Sequence, residues 1–187
     1  IIMVGEIRDL DTAKTALQSS LTGHLVLSTY HASSSAAALT RMLDAIGENP
    51  LFINSIRLIT SQRLVRRLDD TTKQPYQPDQ ATLEHINKDL DRLPPNVPKP
   101  DLSKVTLYRA GSSEANPFGF AGQISIRELM QMSPELQTIL RKSPHDITTS
   151  ELEQAAIAGG MLTMAQSGVL KAIEGLTTLE EVYRVVD

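Results

Sequence analysis

Ile1-Ile2-Met3-Val4 is an unbroken apolar run, rich in β-branched residues, that stops at Gly5. Such a run predicts a strand of a parallel sheet, buried on both faces. From Asp11 to Leu21 the residues Ala13, Ala16, Leu17 and Ser20 recur at three- or four-residue spacing, with Thr12 placed to cap and Gly23 to terminate. This predicts a short amphipathic helix. His24-Leu25-Val26-Leu27-Ser28-Thr29 is a second strand-like run. Strand, helix and strand in this order make a βαβ unit, and the ligand site of such a unit lies at the carboxyl ends of its strands. The fold class is therefore α/β.

Ser33 to Ile46 is alanine-rich, carries Leu39, Met42 and Leu43 on one stripe and ends at Gly47. After Pro50 an apolar periodicity through Phe52, Ile56, Ile59 and Leu64 to Leu68 predicts a longer helix, so both stretches read as helices packed on the sheet. Arg63, Arg66 and Arg67 would then form a basic face on that helix. Pro75, Pro78, Pro94, Pro95, Pro98 and Pro100 mark Asp69 to Ser103 as a linker, with only Ala81 to Leu93 helical. Lys104 to Arg109 and Gln123 to Arg127 alternate as half-buried strands, with Gly119 and Gly122 turning the chain between them. From Pro134 onward three or four short helices, punctuated by Pro144, Gly159-Gly160, Gly168 and Gly175, read as a small bundle.

Composition narrows the function classes. The 187 residues carry 18 Lys+Arg against 22 Asp+Glu, a net charge of −4, which gives no footprint for nucleic acid. With no cysteine there is neither a disulfide framework nor a thiolate metal site, as a reducing compartment allows. No apolar run reaches the roughly 18 to 20 residues of a spanning helix. The chain opens on Ile1, inside a strand, which reads as a piece of a longer protein.

The strand-end sequence Gly5-Glu6-Ile7-Arg8-Asp9 puts a carboxylate where open α/β sheets bind ligands. In nucleotide hydrolases an acid at this place orients or deprotonates the attacking water, or holds Mg²⁺ through water. The next strand ends in Thr29-Tyr30-His31, so His31 would emerge at the same edge, while His24 at the strand's beginning reads as structural. His85 and His145 read as surface residues. Ser33, Ser34 and Ser35 read as a helix cap, and no Gly-x-Ser-x-Gly elbow supports serine catalysis. No Gly is followed by Lys, so the phosphate-cradling Gly-x-x-x-x-Gly-Lys-Ser/Thr loop is not in these residues.

These residues resemble the secretion-ATPase superfamily of the GspE/PilB type, which powers type II secretion and type IV pilus assembly. Ile1 to Asp9 is similar to the family's Walker B strand, and Thr22-Gly23-His24-Leu25-Val26-Leu27-Ser28-Thr29-Tyr30-His31 to its His box. Gln62-Arg63-Leu64-Val65-Arg66-Arg67-Leu68, Gly160-Met161-Leu162-Thr163 and Gly175-Leu176-Thr177-Thr178-Leu179-Glu180-Glu181-Val182 resemble later signatures. The resemblance implies a RecA-like P-loop NTPase partial sheet followed by a small, mainly helical subdomain. Residues 1–68 would be the carboxy-terminal half of the ATPase core, 69–122 the linker and zinc-motif remnant, and 123–187 the terminal strand and helices. It implies Glu6 as the catalytic carboxylate, His31 and Arg8 on the nucleotide side, and His24 as a structural part of the His box. For the intact protein it implies ATP and Mg²⁺ as cofactors and a homo-hexamer. It further implies a cytoplasmic location, held at the inner membrane through a platform protein.

Departures from the family pattern carry expectations of their own. The four positions of the tetracysteine that binds zinc in many members fall here on Asp69, Thr72, Ser112 and Ala115, so no zinc is expected. Glu128 matches, but the usual Arg of the Gly-aromatic-x-Gly-Arg turn is Gln123 and a nearby Gly is Ser125. After His31, Ala32-Ser33-Ser34 replaces Thr-Asn-Asp, keeping a helix cap and losing an amide and a carboxylate. The rival expectation is a non-catalytic module that docks a platform protein or neighbouring subunits.

Overall fold

In the computed structural model, which describes residues 1–47 and 50–186, the first two strands pair as the βαβ pattern requires. β1 (Ile2–Val4) and β2 (Val26–Ser28) are parallel, with Ile2 opposite Val26 and Val4 opposite Ser28, and α1 (Leu10–Leu21) connects them. Asp9, not Thr12, caps α1: its carboxylate accepts from the Thr12 N–H at 2.8 Å and the Thr12 hydroxyl at 3.0 Å. Those two bonds, with the Thr12 N–H first, hold the Asp9 carboxyl below its usual range. Burial on both faces of β1 is not observed. Ile2 and Val4 turn towards Thr12, Thr15 and Ala16 of α1, while Ile1 and Met3 on the other side are 90% and 80% exposed.

The chain forms two compact units, neither of which is one continuous stretch: Ile1–Ser61 with Leu129–Met161, and Gln62–Glu128 with Leu162–Asp187. In the first, α2 (Ser35–Ile46), capped by the Ser34 hydroxyl, packs with α3 (Pro50–Ser55), α5 (Pro134–Leu140) and α6 (Thr149–Ala158). Leu39, Phe52, Leu136 and Leu152 are fully buried there, each worth about 1.5–3 kcal/mol of transfer free energy.

The long helix expected after Pro50 ends at Ser55, and β3 (Leu58–Leu68) follows, paired with β6 (Phe120–Gln131). Its side chains alternate between more and less exposed positions, with Leu58 and Leu64 open to solvent and Val65 buried. Apolar residues on both faces, Leu58 and Leu64 on one and Ile59 and Val65 on the other, imitate a helical period, and the partner strand decides the outcome. The three arginines therefore share no helix face: Arg66 and Arg67 point to opposite sides, Arg66 to Glu181 and Arg67 to Asp70.

The segment Asp69 to Ser103 is not a linker. It contains β4 (Gln74–Tyr76), antiparallel to β5 (Leu107–Arg109), and α4 (Gln80–Asp89), whose Ile86 is fully buried, as is Leu90 just beyond it. Pro75 lies inside β4, a strand of a two-stranded sheet, while Pro78 and Pro94 flank α4. His85 is exposed, as expected of a surface residue, and its ring stacks on Tyr183 with centroids 4.7 Å apart. His145 lies exposed in a short 3-10 turn.

The carboxy-terminal helices are not one bundle either, since α5 and α6 belong to the first unit and α7 (Met164–Ile173) and α8 (Leu179–Val186) to the second. Gly168 sits inside α7 and does not punctuate it. A Cβ there would meet Cγ1 of the fully buried Val182 on α8 at 2.4 Å. Gly→Ala in a helix interior ordinarily gains about 1 kcal/mol, whereas overpacking a tight core costs about 1–3 kcal/mol. Val182 is stiff at χ1 and cannot swing aside. Gly168→Ala is therefore expected to lower the thermal midpoint, and a midpoint that rises would show that α8 yields.

Candidate functional site

Glu6 leaves the end of β1 immediately after Gly5, and His31 follows the end of β2. Two hydrogen bonds beyond the strands keep these ends together: the Thr29 hydroxyl donates to Gly5 O at 2.6 Å, and Ile7 N–H donates to Thr29 O at 3.1 Å. Across this closure His31 Nε2 lies 2.8 Å from Glu6 Oε1, and Arg8 Nε donates to Glu6 Oε2. The Glu6 side chain is 18% exposed, beneath Arg8 at 77% and His31 at 88%.

Each Glu6 oxygen thus takes one charge-assisted or imidazole hydrogen bond, which fixes the carboxylate's rotamer. An ionised carboxylate has about four lone-pair sites, so acceptor capacity remains for a water. Arg8 commits Nε to Glu6, and the rest of its planar fork suits phosphate oxygens. The arrangement can orient a water, accept its proton and present positive charge beside it.

His24 stands at the other end of β2. Its Nδ1 lies 3.1 Å from the Thr22 hydroxyl and 3.2 Å from Ser19 O, so it closes the carboxy-terminal turn of α1.

Sequence reasoning passed over Arg41, the one basic residue of α2. Its Nη1 donates to His31 O at 2.7 Å, and its guanidinium sits 5.7 Å from the centre of the Tyr30 ring. A bond to a main-chain carbonyl leaves no side-chain pattern; the only signal is a lone cation on an alanine-rich helix one short loop after His31. Arg41→Met is expected to speed amide exchange at residues 30–33 about fivefold, as loss of one exposed bond worth about 1 kcal/mol implies. Unchanged exchange by NMR would show that this bond does not hold the loop.

Among the described residues no cluster of three His, Cys, Asp or Glu side chains could hold a metal ion by itself. No helix among them is long and apolar enough to cross a membrane.

Residues 1–184 match the family profile described as "Type II/IV secretion system protein". The chain is 42% identical over 188 residues to type II secretion system protein E of Xanthomonas campestris pv. campestris, covering 100% of this chain and 31% of that protein. It is 36% identical over 184 residues to the type IV pilus assembly ATPase PilB of Thermus thermophilus, covering 97% of this chain and 19% of that protein. The chain thus spans about a third or less of these relatives' lengths. The X-ray structure of the Legionella pneumophila ATPase DotB shares the fold, with a TM-score of 0.61 at 18% identity over 99% of this chain and 38% of that one. The profile match runs along nearly the whole chain, and the chain belongs to the Type II/IV secretion system protein family.

Proposed function

We propose that this chain is the carboxy-terminal part of an ATPase motor that drives type II secretion or type IV pilus assembly. Residues 1–68 supply part of its RecA-like core. Glu6 is the catalytic carboxylate, and His31 and Arg8 act on the nucleotide side. The reading is carried by the pairing of His31 Nε2 with Glu6 Oε1 at 2.8 Å, which joins two separate sequence motifs at the carboxyl ends of adjacent parallel strands.

The donor set fits ATP with Mg²⁺. Mg²⁺ keeps several waters and is bound by one or two carboxylates plus phosphate oxygens. Both Glu6 oxygens are engaged by His31 and Arg8, so Glu6 would reach a bound ion through water, while Arg8 would face phosphate. When bound, the ion supplies charge neutralisation on the transferred phosphoryl group. Glu6 orients the attacking water and takes its proton, with His31 and Arg8 holding the carboxylate in place.

The full-length protein works as a homo-hexamer in the cytoplasm, engaging an inner-membrane platform protein. Hydrolysis needs a phosphate-cradling loop, whose N–H groups and lysine supply stabilisation of about 3–4 kcal/mol per oxyanion-type donor. The 187-residue chain alone is therefore expected to be inert. The test is ATP turnover by the full-length gene product beside this chain. Turnover only in the former supports the motor, whereas none in either supports a docking module.

A further inference from the structure

Asp69 and Asn116, 47 residues apart, meet where two loops of the second unit close on each other. Asp69 Oδ2 accepts from Asn116 Nδ2 at 2.7 Å, and Oδ1 accepts from the N–H and hydroxyl of Thr71 at 2.9 and 2.7 Å. Asn116 Nδ2 also donates to Phe120 O at 3.1 Å, and its Oδ1 accepts from Gly119 N–H at 3.1 Å. Asp69 N–H donates to Gly119 O at 3.0 Å, while Asp69 O accepts from Thr72 N–H and Lys73 N–H. Both donors of the Asn116 amide are engaged, and its oxygen accepts one bond.

The backbones touch at the same place. A Cβ on Gly111 would lie 1.9 Å from Thr72 O, and one on Gly119, whose φ is +68°, would lie 1.9 Å from Gly111 O. Only glycine fits at either position.

The resemblance puts the family's four zinc cysteines at Asp69, Thr72, Ser112 and Ala115, and these residues do not fit the metal. They offer one carboxylate, two neutral hydroxyls and a methyl, where tetrahedral Zn²⁺ takes four thiolate, imidazole or carboxylate ligands. Both Asp69 oxygens are already used, and Ser112 and Ala115 face solvent.

We propose that Asp69 and Asn116 form a metal-free staple that closes the loops 69–73 and 111–120. Asn116 is its centre, because its one planar amide bonds three separate chain positions: the Asp69 carboxylate, Phe120 O and Gly119 N–H. The staple fixes the loop that carries Phe118, 77% exposed at its tip, in a folded conformation. A protease needs that segment extended, so cleavage after Phe118 reports the staple directly.

The experiment is chymotrypsin cleavage after Phe118 in the wild type, Asn116→Ala, Asp69→Ala and the double variant, each checked for a cooperative thermal melt. Each single variant is expected to be cut about ten times faster, and the double variant no faster than the singles, as for two residues sharing one interaction. Asn116→Asp keeps the side chain's size but sets a second carboxylate against Asp69. It should be cut faster than the wild type at pH 7, where the two like charges repel. Wild-type cleavage should not change with 1,10-phenanthroline. Unchanged cleavage in the single variants, or multiplicative rates in the double variant, would overturn the staple. Faster cleavage with the chelator, or zinc at one per chain, would overturn its independence from metal.

Discussion

Glu6→Gln in the full-length protein is expected to lower the ATP turnover number by about 10²–10⁴-fold, the usual contribution of a positioned general base. The substitution preserves shape and removes the charge and the basicity. His31 Nε2 and Arg8 Nε both point at Glu6, so an amide in its place still fills the site but cannot take a proton from water. An interaction lost only in the transition state lowers kcat with little change in KM. His31 is far more exposed than Glu6 and acts on the same carboxylate, so His31→Ala should cost less, about tenfold. Steady-state turnover at saturating ATP with Mg²⁺ decides the matter. If Glu6→Gln keeps wild-type kcat, Glu6 is not the catalytic base, and the pair at the strand ends is a structural contact.

How far the sequence reveals this site depends on how local each signal is. β1, α1 and β2 follow from apolar runs and spacing within about thirty residues, and parallel pairing of the strands brings Glu6 and His31 together without further information. β3 is different, because its apolar residues lie on both faces, Leu58 and Leu64 against Ile59 and Val65, and its strand character comes from pairing with β6, more than fifty residues later. Prolines between Asp69 and Ser103 suggest a linker, yet Ile86 and Leu90 are fully buried against residues of α7. Burial of that kind depends on partners that no local window contains. Arg41 and the Asp69–Asn116 contact escape for a related reason: each joins a side chain to main-chain or amide groups across a loop, and neither spacing nor composition records it.

The largest effect on stability is expected at Glu181. Its side chain is 3% exposed and accepts from Arg66 N–H at 2.9 Å, Arg66 Nη2 at 2.7 Å and Arg184 Nη2 at 2.8 Å. Burial alone would raise this carboxyl, but the bonds from Arg184 and Arg66 outweigh it and bring the pKa down to about 2 from 4.5. Removing one partner of a buried ion pair costs about 3–5 kcal/mol. Here the two arginine side chains are about half exposed and can rehydrate, so Glu181→Ala belongs near the lower end, about 3 kcal/mol. That corresponds to a fall of about 6–12 °C in the thermal midpoint for a chain of this size. Glu180→Ala on the exposed side of α8 should change stability by less than about 0.5 kcal/mol.

The pH dependence separates charge from packing. A carboxyl with a depressed pKa in the folded state contributes stability that is complete above the unfolded value and disappears as pH falls through the folded one. The shift from 4.5 to about 2 is worth about 3 kcal/mol at neutral pH. The stability gap between wild type and Glu181→Gln, measured by denaturant unfolding, should therefore be widest above about pH 5 and narrow steadily towards pH 2. The glutamine keeps the volume and loses the ionisation, so a gap that stays constant from pH 7 to pH 3 would mean that Glu181 holds α8 to β3 by fit and hydrogen bonding alone, with no contribution from its charge.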